Sequence, residues 1–232
     1  MKCYYIHLIR HGITMGNLLG QYIGHTDISL CDEGITGIKY LKSNFEYPKA
    51  DVFFISPLKR CLQTLNIIYP NTNPIVVNDL KECDFGDFEG KSAEDLKDDK
   101  RFEKWISEGG SSSPPNGENG TEFQERCCKA FEKIVNGVIT AGITEGVIVA
   151  HGGTIMSILT AYGLPQAEFY DWLVGNGRGY TMRITPLLWS QQRKAEVINT
   201  LPFGDTPSLE GGQAEIVRMA KEAINKANEN KE

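Results

Sequence analysis

The sequence lacks any run of about 18 apolar residues, any excess of positive charge and any Cys-x-x-Cys pair, and each absence removes a class of protein. Without such a run there is no membrane-spanning helix. The opening MKCYYIHLIR is also too short an apolar stretch for a secretory segment, so the expected location is the cytoplasm. A formal net charge of -6, with no Lys/Arg-rich stretch to override it, excludes bulk binding to nucleic acid or to an anionic membrane. Any anion the chain holds must be held locally. Its six cysteines are scattered through a large chain with no export signal, which predicts free thiols rather than disulfides.

Two further absences narrow the chemistry. None of the cysteines has an arginine six positions on, which closes the cysteine-phosphatase route, and no aspartate is followed two positions later by another, which closes the aspartyl-phosphate route. No His/Cys/Asp cluster has ligand spacing either, so neither metal nor cofactor is implied.

What is present is a β-α-β-α order within 232 residues, 41% hydrophobic and 23% charged, enough for one large α/β domain. Residues 3–9, 51–55, 75–77 and 147–150 are short β-branched or aromatic runs that predict buried parallel strands. Ser56-Pro57 reads as a cap and first helical residue, with Leu58, Leu62, Leu65 and Ile68 at helical spacing behind it. Thr121 to Gln124 reads as a capping box opening a helix through about residue 140, with Phe123, Cys127, Phe131, Ile134 and Val138 on its apolar face. Another helix is predicted from Gly153 to Tyr162, and residues 181–185 and 195–199 read as a late strand pair. The pattern predicts a three-layer α/β/α sandwich around a mainly parallel sheet. Residues 1–206 form one domain in this reading. Residues 107–121, too rich in Gly, Ser, Pro and Asn to pack, form a lid-like loop, and 207–232 form a charged helical tail.

In such a sheet, ligands lie beyond the carboxyl ends of the strands, where helix N-termini present free N–H groups. The first strand delivers Arg10, His11, Gly12 and Thr14 to that rim, with Asn17 one turn later. The second leads to a helix carrying Arg60, the third is followed by Glu82, and the fourth ends at His151. Two arginines, two histidines and a carboxylate therefore converge on one edge. His7 lies within the first strand and reads as a satisfied core residue.

The blocks LIRHGITMGN, GHTDISLCDEG, SPLKRCLQT, LKECDFGDFEG, PPNGEN and VIVAHGGTI, in that order, resemble the histidine phosphatase or phosphoglycerate mutase-like superfamily, nearest its α-ribazole phosphatase-like and broad-specificity branches. The resemblance implies a phosphoglycerate mutase-like fold and a phosphatase acting on small phosphorylated metabolites, with inorganic phosphate as product. By the same resemblance His11 becomes a phosphohistidine, Glu82 is the general acid and then base, and Arg10, Arg60 and His151 grip the phosphoryl group. Asn17, Thr14 and Gly24 are implied as further phosphate or substrate contacts, with helix capping the competing role for Thr14 and Asn17. Asp84, Asp87 and Glu89 are the rivals to Glu82. Gly12 and Gly152 read as positions where the backbone passes close to a ligand. Family mutases carry an Arg-Arg pair that this chain lacks, which favours hydrolysis. Mutase-type phosphoryl transfer is the alternative, and a phosphate-binding module without catalysis the third.

Overall fold

A computed structural model describes residues 2–108 and 112–205; the tail predicted over 207–232 lies outside them. The elements run β1 Tyr4–Arg10, α1 Met15–Leu18, α2 Asp32–Asn44, β2 Val52–Ile55, α3 Lys59–Ile68, β3 Ile75–Val76, α4 Ala93–Leu96, α5 Lys100–Ser107 and α6 Gly120–Ala141. They continue with β4 Glu145–Ala150, α7 Gly152–Tyr162, β5 Gly163–Leu164, β6 Gly179–Ile184, α8 Pro186–Gln192 and β7 Ala195–Leu201. The sheet order is β3-β2-β4-β1-β6-β7-β5. Strands β3, β2, β4 and β1 are mutually parallel, and β6 runs against both β1 and β7.

The apolar runs of β1 and β4 follow from burial on both faces. Along β4, Ile148 and Ala150 face a core shared with α6 and α7, while Val147 and Val149 face the opposite core with α2 and α3. Each such valine or isoleucine contributes about 1.5–3 kcal/mol when fully buried, so the centre of the sheet is the rigid frame from which the strand ends project. Helix α7 is buried along most of its length, and its run IMSIL is correspondingly apolar. No helix among the described residues is long and apolar enough to cross a membrane.

Several local expectations shift. Strand β3 is a two-residue edge strand with Ile75 and Val76 more than half exposed, since none of the described residues covers that edge. Helix α3 begins at Lys59, not at Pro57, and Leu62 faces solvent while Leu58, Leu65 and Ile68 are buried. Helix α6 is capped by Asn119, whose Oδ1 accepts from the N–H groups of Thr121 and Glu122, two residues before the predicted box. All five apolar residues predicted for its inner face are buried.

The segment predicted as a lid is also more tied down than its composition suggests. Pro114 is buried, Asp87 N–H donates to the Pro115 carbonyl at 2.9 Å, and Glu118 N–H donates to the Asp84 carbonyl at 2.8 Å. Gly86, at φ 51°, makes this approach feasible: a Cβ there would lie 2.2 Å from the Pro115 oxygen.

Candidate active site

Three adjacent parallel strands, β2, β4 and β1, end side by side, and the chain leaves each through a polar residue: Ser56, His151 and the Arg10–His11 pair. His11 is buried, and its Nδ1 lies 2.6 Å from the Gly12 carbonyl oxygen. A carbonyl only accepts, so Nδ1 carries the proton and Nε2 carries the lone pair. Burial, followed by the charges of Arg60 and Arg10, holds the imidazole pKa well below its ordinary value, and the ring is therefore neutral at pH 7. The backbone around it is clamped. Asn176 Nδ2 donates to the His11 carbonyl at 2.9 Å, and Gly12 N–H donates to Thr64 Oγ1 at 2.9 Å. Gly12 itself lets the strand end pack on α2, because an added Cβ would lie 3.0 Å from Ile38 Cγ1.

His151 caps the start of α7, its ring centroid 5.2 Å from that of His11. Its Nδ1 accepts from Arg60 Nε at 3.3 Å, so its proton is on Nε2, which donates to Ser56 Oγ at 2.7 Å. Burial and the Arg60 charge push this pKa well down too. The sequence makes Ser56 a helix cap, whereas the structure makes it the partner of His151. A donor role for His151 toward a phosphoryl group thus requires a proton on Nδ1, gained as a second ring proton or by a tautomer shift in which the Ser56 hydroxyl donates to Nε2.

The charge comes from two guanidinium groups. Arg60 is almost fully buried and donates to the Gly24 carbonyl at 2.8 Å, the Thr26 carbonyl at 2.9 Å and His151, leaving two of its five N–H donors without an acceptor among the described residues. Arg10 donates to the Val174 carbonyl at 2.7 Å, and its Nε is buried with no partner. Burial lowers its pKa to about 10, with the Glu82 charge opposing the shift and Arg60 adding to it, so it remains cationic near neutrality.

Gly24 holds its place because a Cβ would lie 1.8 Å from the Cys83 carbonyl oxygen. Glu89 fixes the same loop: its carboxylate accepts from the N–H groups of His25 at 2.6 Å and Thr26 at 2.7 Å, and from the Thr26 hydroxyl. These bonds keep its pKa below the ordinary range against the opposing effect of burial, so among the rivals to Glu82 it is a loop clasp. Asp87 pairs with Arg101 and Asn116, and Asp84 with His25. Glu82 differs from all three. Its Oε2 accepts from Gly153 N–H at 2.9 Å, in the first turn of α7, and its Oε1 from Cys83 N–H at 3.0 Å. The carboxyl is thereby held at the start of α7, and its charge acts on both Arg10 and Arg60.

Thr14 and Asn17 form the reciprocal cap of α1, with Asn17 Oδ1 accepting from Thr14 N–H and Oγ1, each at 3.0 Å. This fixes Asn17 and leaves its Nδ2 without an acceptor among the described residues. His7 is satisfied as expected, between Thr181 Oγ1 at 3.0 Å and Glu145 at 2.9 Å. Among the described residues no group of three or more His, Cys, Asp or Glu side chains could hold a metal ion. The sequence reading omits Ser56, Thr64 and Asn176 from the site. Thr64 falls within the SPLKRCLQT block, but nothing in the local pattern marks Asn176.

The chain is 34% identical to the Bacillus subtilis phosphatase PhoE over 158 residues, covering 66% of this chain and 74% of that protein. It is 25% identical to the Salmonella typhimurium adenosylcobalamin/α-ribazole phosphatase over 176 residues, covering 73% and 85% respectively, and 2,3-bisphosphoglycerate-dependent phosphoglycerate mutases align as well. The crystal structure of the Shigella flexneri α-ribazole phosphatase superposes with a TM-score of 0.71 at 24% identity, covering 89% of this chain and all of that one, and so shares the fold. Residues 6–196 match the family model for branch 1, and the chain belongs to the histidine phosphatase superfamily.

Proposed function

We propose that the protein hydrolyses small phosphomonoesters through a phosphohistidine on His11, with Glu82 as general acid and then base. The observation that carries this reading is the tautomer of His11: the Gly12 carbonyl takes the Nδ1 proton, so a neutral ring presents the Nε2 lone pair where Arg10 and Arg60 place their charge. In the first step Nε2 attacks phosphorus and the ester oxygen leaves with a proton from Glu82. In the second, Glu82 takes a proton from water, which attacks the phosphohistidine and releases inorganic phosphate. The guanidinium forks match equatorial phosphoryl oxygens and stay charged as density moves onto them.

The lack of an Arg-Arg pair supports hydrolysis over mutase-type transfer. Nucleophile, acid and both arginines stand together, which supports catalysis over passive phosphate binding. The test is rapid-quench measurement of phosphorylation, in EDTA, on an alkyl phosphate and on p-nitrophenyl phosphate. Glu82→Gln should slow the alkyl substrate by ~10²–10⁴-fold, the range for general acid catalysis, and the aryl substrate far less. His11→Ala should abolish an acid-labile, base-stable phosphoryl label. A label that survives His11→Ala removes the mechanism.

A further inference from the structure

We propose that the Glu118–Arg126 ion pair positions the general acid, holding the backbone of Glu82 so that its carboxyl meets the leaving oxygen. The inference rests on the assignment of Glu82 above. Neither member of the pair belongs to the rim that faces the phosphoryl group; Arg126 projects from α6 and Glu118 from the loop before it.

The guanidinium of Arg126 uses all five of its N–H donors. Nε and Nη2 bind Glu118 Oε1 and Oε2 at 2.6 and 2.7 Å, a bidentate pair. Nη1 donates to the carbonyls of Asp79 at 2.9 Å and Lys81 at 2.8 Å, and Nη2 donates to the Glu82 carbonyl at 2.9 Å. The same strand of chain is gripped from α7 by Thr154 Oγ1, which lies 3.3 Å from the Leu80 carbonyl and 3.2 Å from that of Lys81. Four consecutive carbonyls, from residue 79 to residue 82, are thus anchored by side chains of two helices. Beyond Glu82 the pair acts again, because Glu118 exchanges contacts with Asp84 through its own N–H and its carboxylate. The guanidinium also lies 5.0 Å from the centre of the Phe123 ring, which fixes its plane.

The density of these bonds has a reason. Between Val76 and Ala93 the chain has only two short 3₁₀ turns, at Asn78–Leu80 and Gly86–Phe88, so no helix or strand ladder fixes the backbone of Glu82. An acid must meet its proton acceptor within hydrogen-bond reach, and misplacement by about 1 Å costs ~10²-fold. Lysine, with three donors on one nitrogen, cannot bind a carboxylate bidentately while reaching three carbonyls.

The test places Arg126→Lys in two backgrounds, unchanged and Glu82→Gln, and measures phosphorylation on the alkyl and aryl phosphates. In the unchanged background the alkyl rate should fall by ~10²-fold and the aryl rate by less than about threefold, with inhibition by inorganic phosphate unaltered. In the Glu82→Gln background the same substitution should cost less than about threefold on either substrate, because the acid it serves is gone. Glu118→Gln, which keeps the side-chain shape and one acceptor oxygen, carries the same test if Arg126→Lys fails to fold. Equal losses on the two substrates, or losses as large in the Glu82→Gln background, would show a general structural role and overturn the proposal. If Glu82→Gln alone fails to distinguish the substrates, the acid assignment falls and takes this one with it. If it distinguishes them while Arg126→Lys and Glu118→Gln do not, the positioning proposal alone is wrong.

Discussion

Acidification should destabilise this protein earlier than carboxylate protonation can explain, because two of its four histidines are buried neutral beside arginines. Burial and the arginine charges hold His11 and His151 well below 6.5 in the folded state, whereas in the unfolded chain both titrate near the reference value of about 6.5. Below that pH the unfolded state binds protons that the folded state refuses, so the unfolding free energy falls as pH falls. Each refused proton costs about 1.4 kcal/mol per pH unit. At pH 5 the unfolded-state reference value sets a ceiling of about 2 kcal/mol for each ring, against a stability of roughly 5–15 kcal/mol. His7 adds a smaller loss of the same sign, since burial lowers it while Glu145 opposes the shift. Urea unfolding at pH 7, 6 and 5 measures the slope, and His11→Gln, which keeps an amide where the ring was but cannot titrate, should remove about half of the two-ring contribution. Equal unfolding free energies at pH 7 and 5, or an unchanged slope in His11→Gln, would refute the neutral-pair reasoning.

The same protonation states govern ligand binding. Sulfate, a dianion with no proton to exchange in this range, should bind Glu82→Gln with net proton uptake, because its charge offsets that of Arg60 and lets His151 take a second proton; calorimetry in buffers of different ionisation enthalpy measures the uptake, and a result of zero would refute the second proton on His151. Gly24→Ala should weaken phosphate inhibition by at least about tenfold, since its Cβ would meet the Cys83 carbonyl oxygen at 1.8 Å and displace the carbonyl that holds Arg60; an unchanged inhibition constant would show that the loop does not set the clamp.

Strand ends were the part of the site most legible in the sequence. A residue at the end of an apolar strand in a parallel sheet has only one rim to occupy, so Arg10, His11 and His151 could be placed from periodicity alone. Ser56 misleads because serine before proline satisfies a helix-start pattern, while the proton it needs to accept comes from a histidine 95 positions away. Glu89 and Glu82 look alike in a run of acids. What separates them is that one meets the N–H groups of its own loop partners and the other meets a helix start, a difference of tertiary contact that spacing does not encode. The loop 112–119 misleads in the other direction. Its Gly and Pro content suits a mobile segment, yet the same residues allow the close backbone approach that pins it against residues 84–87.

The two histidines show how one residue type is given two roles on adjacent strand ends. Both are buried, both are neutral, and both feel Arg60 and Arg10. Their proton placement differs because their neighbours differ. His11 donates its Nδ1–H to a backbone carbonyl, a partner that cannot donate back, so the Nε2 lone pair stays uncommitted. His151 is held at both nitrogens, Nδ1 by the guanidinium and Nε2 by Ser56, so it has no lone pair to offer until a ligand competes for Arg60. When an anion does so, the freed Nδ1 lies beside a negative charge and becomes a site for a proton instead of a nucleophile. Arg60 thus joins the two rings, since its charge lowers both pKa values while one N–H holds His151 Nδ1 and two others remain to meet an anion.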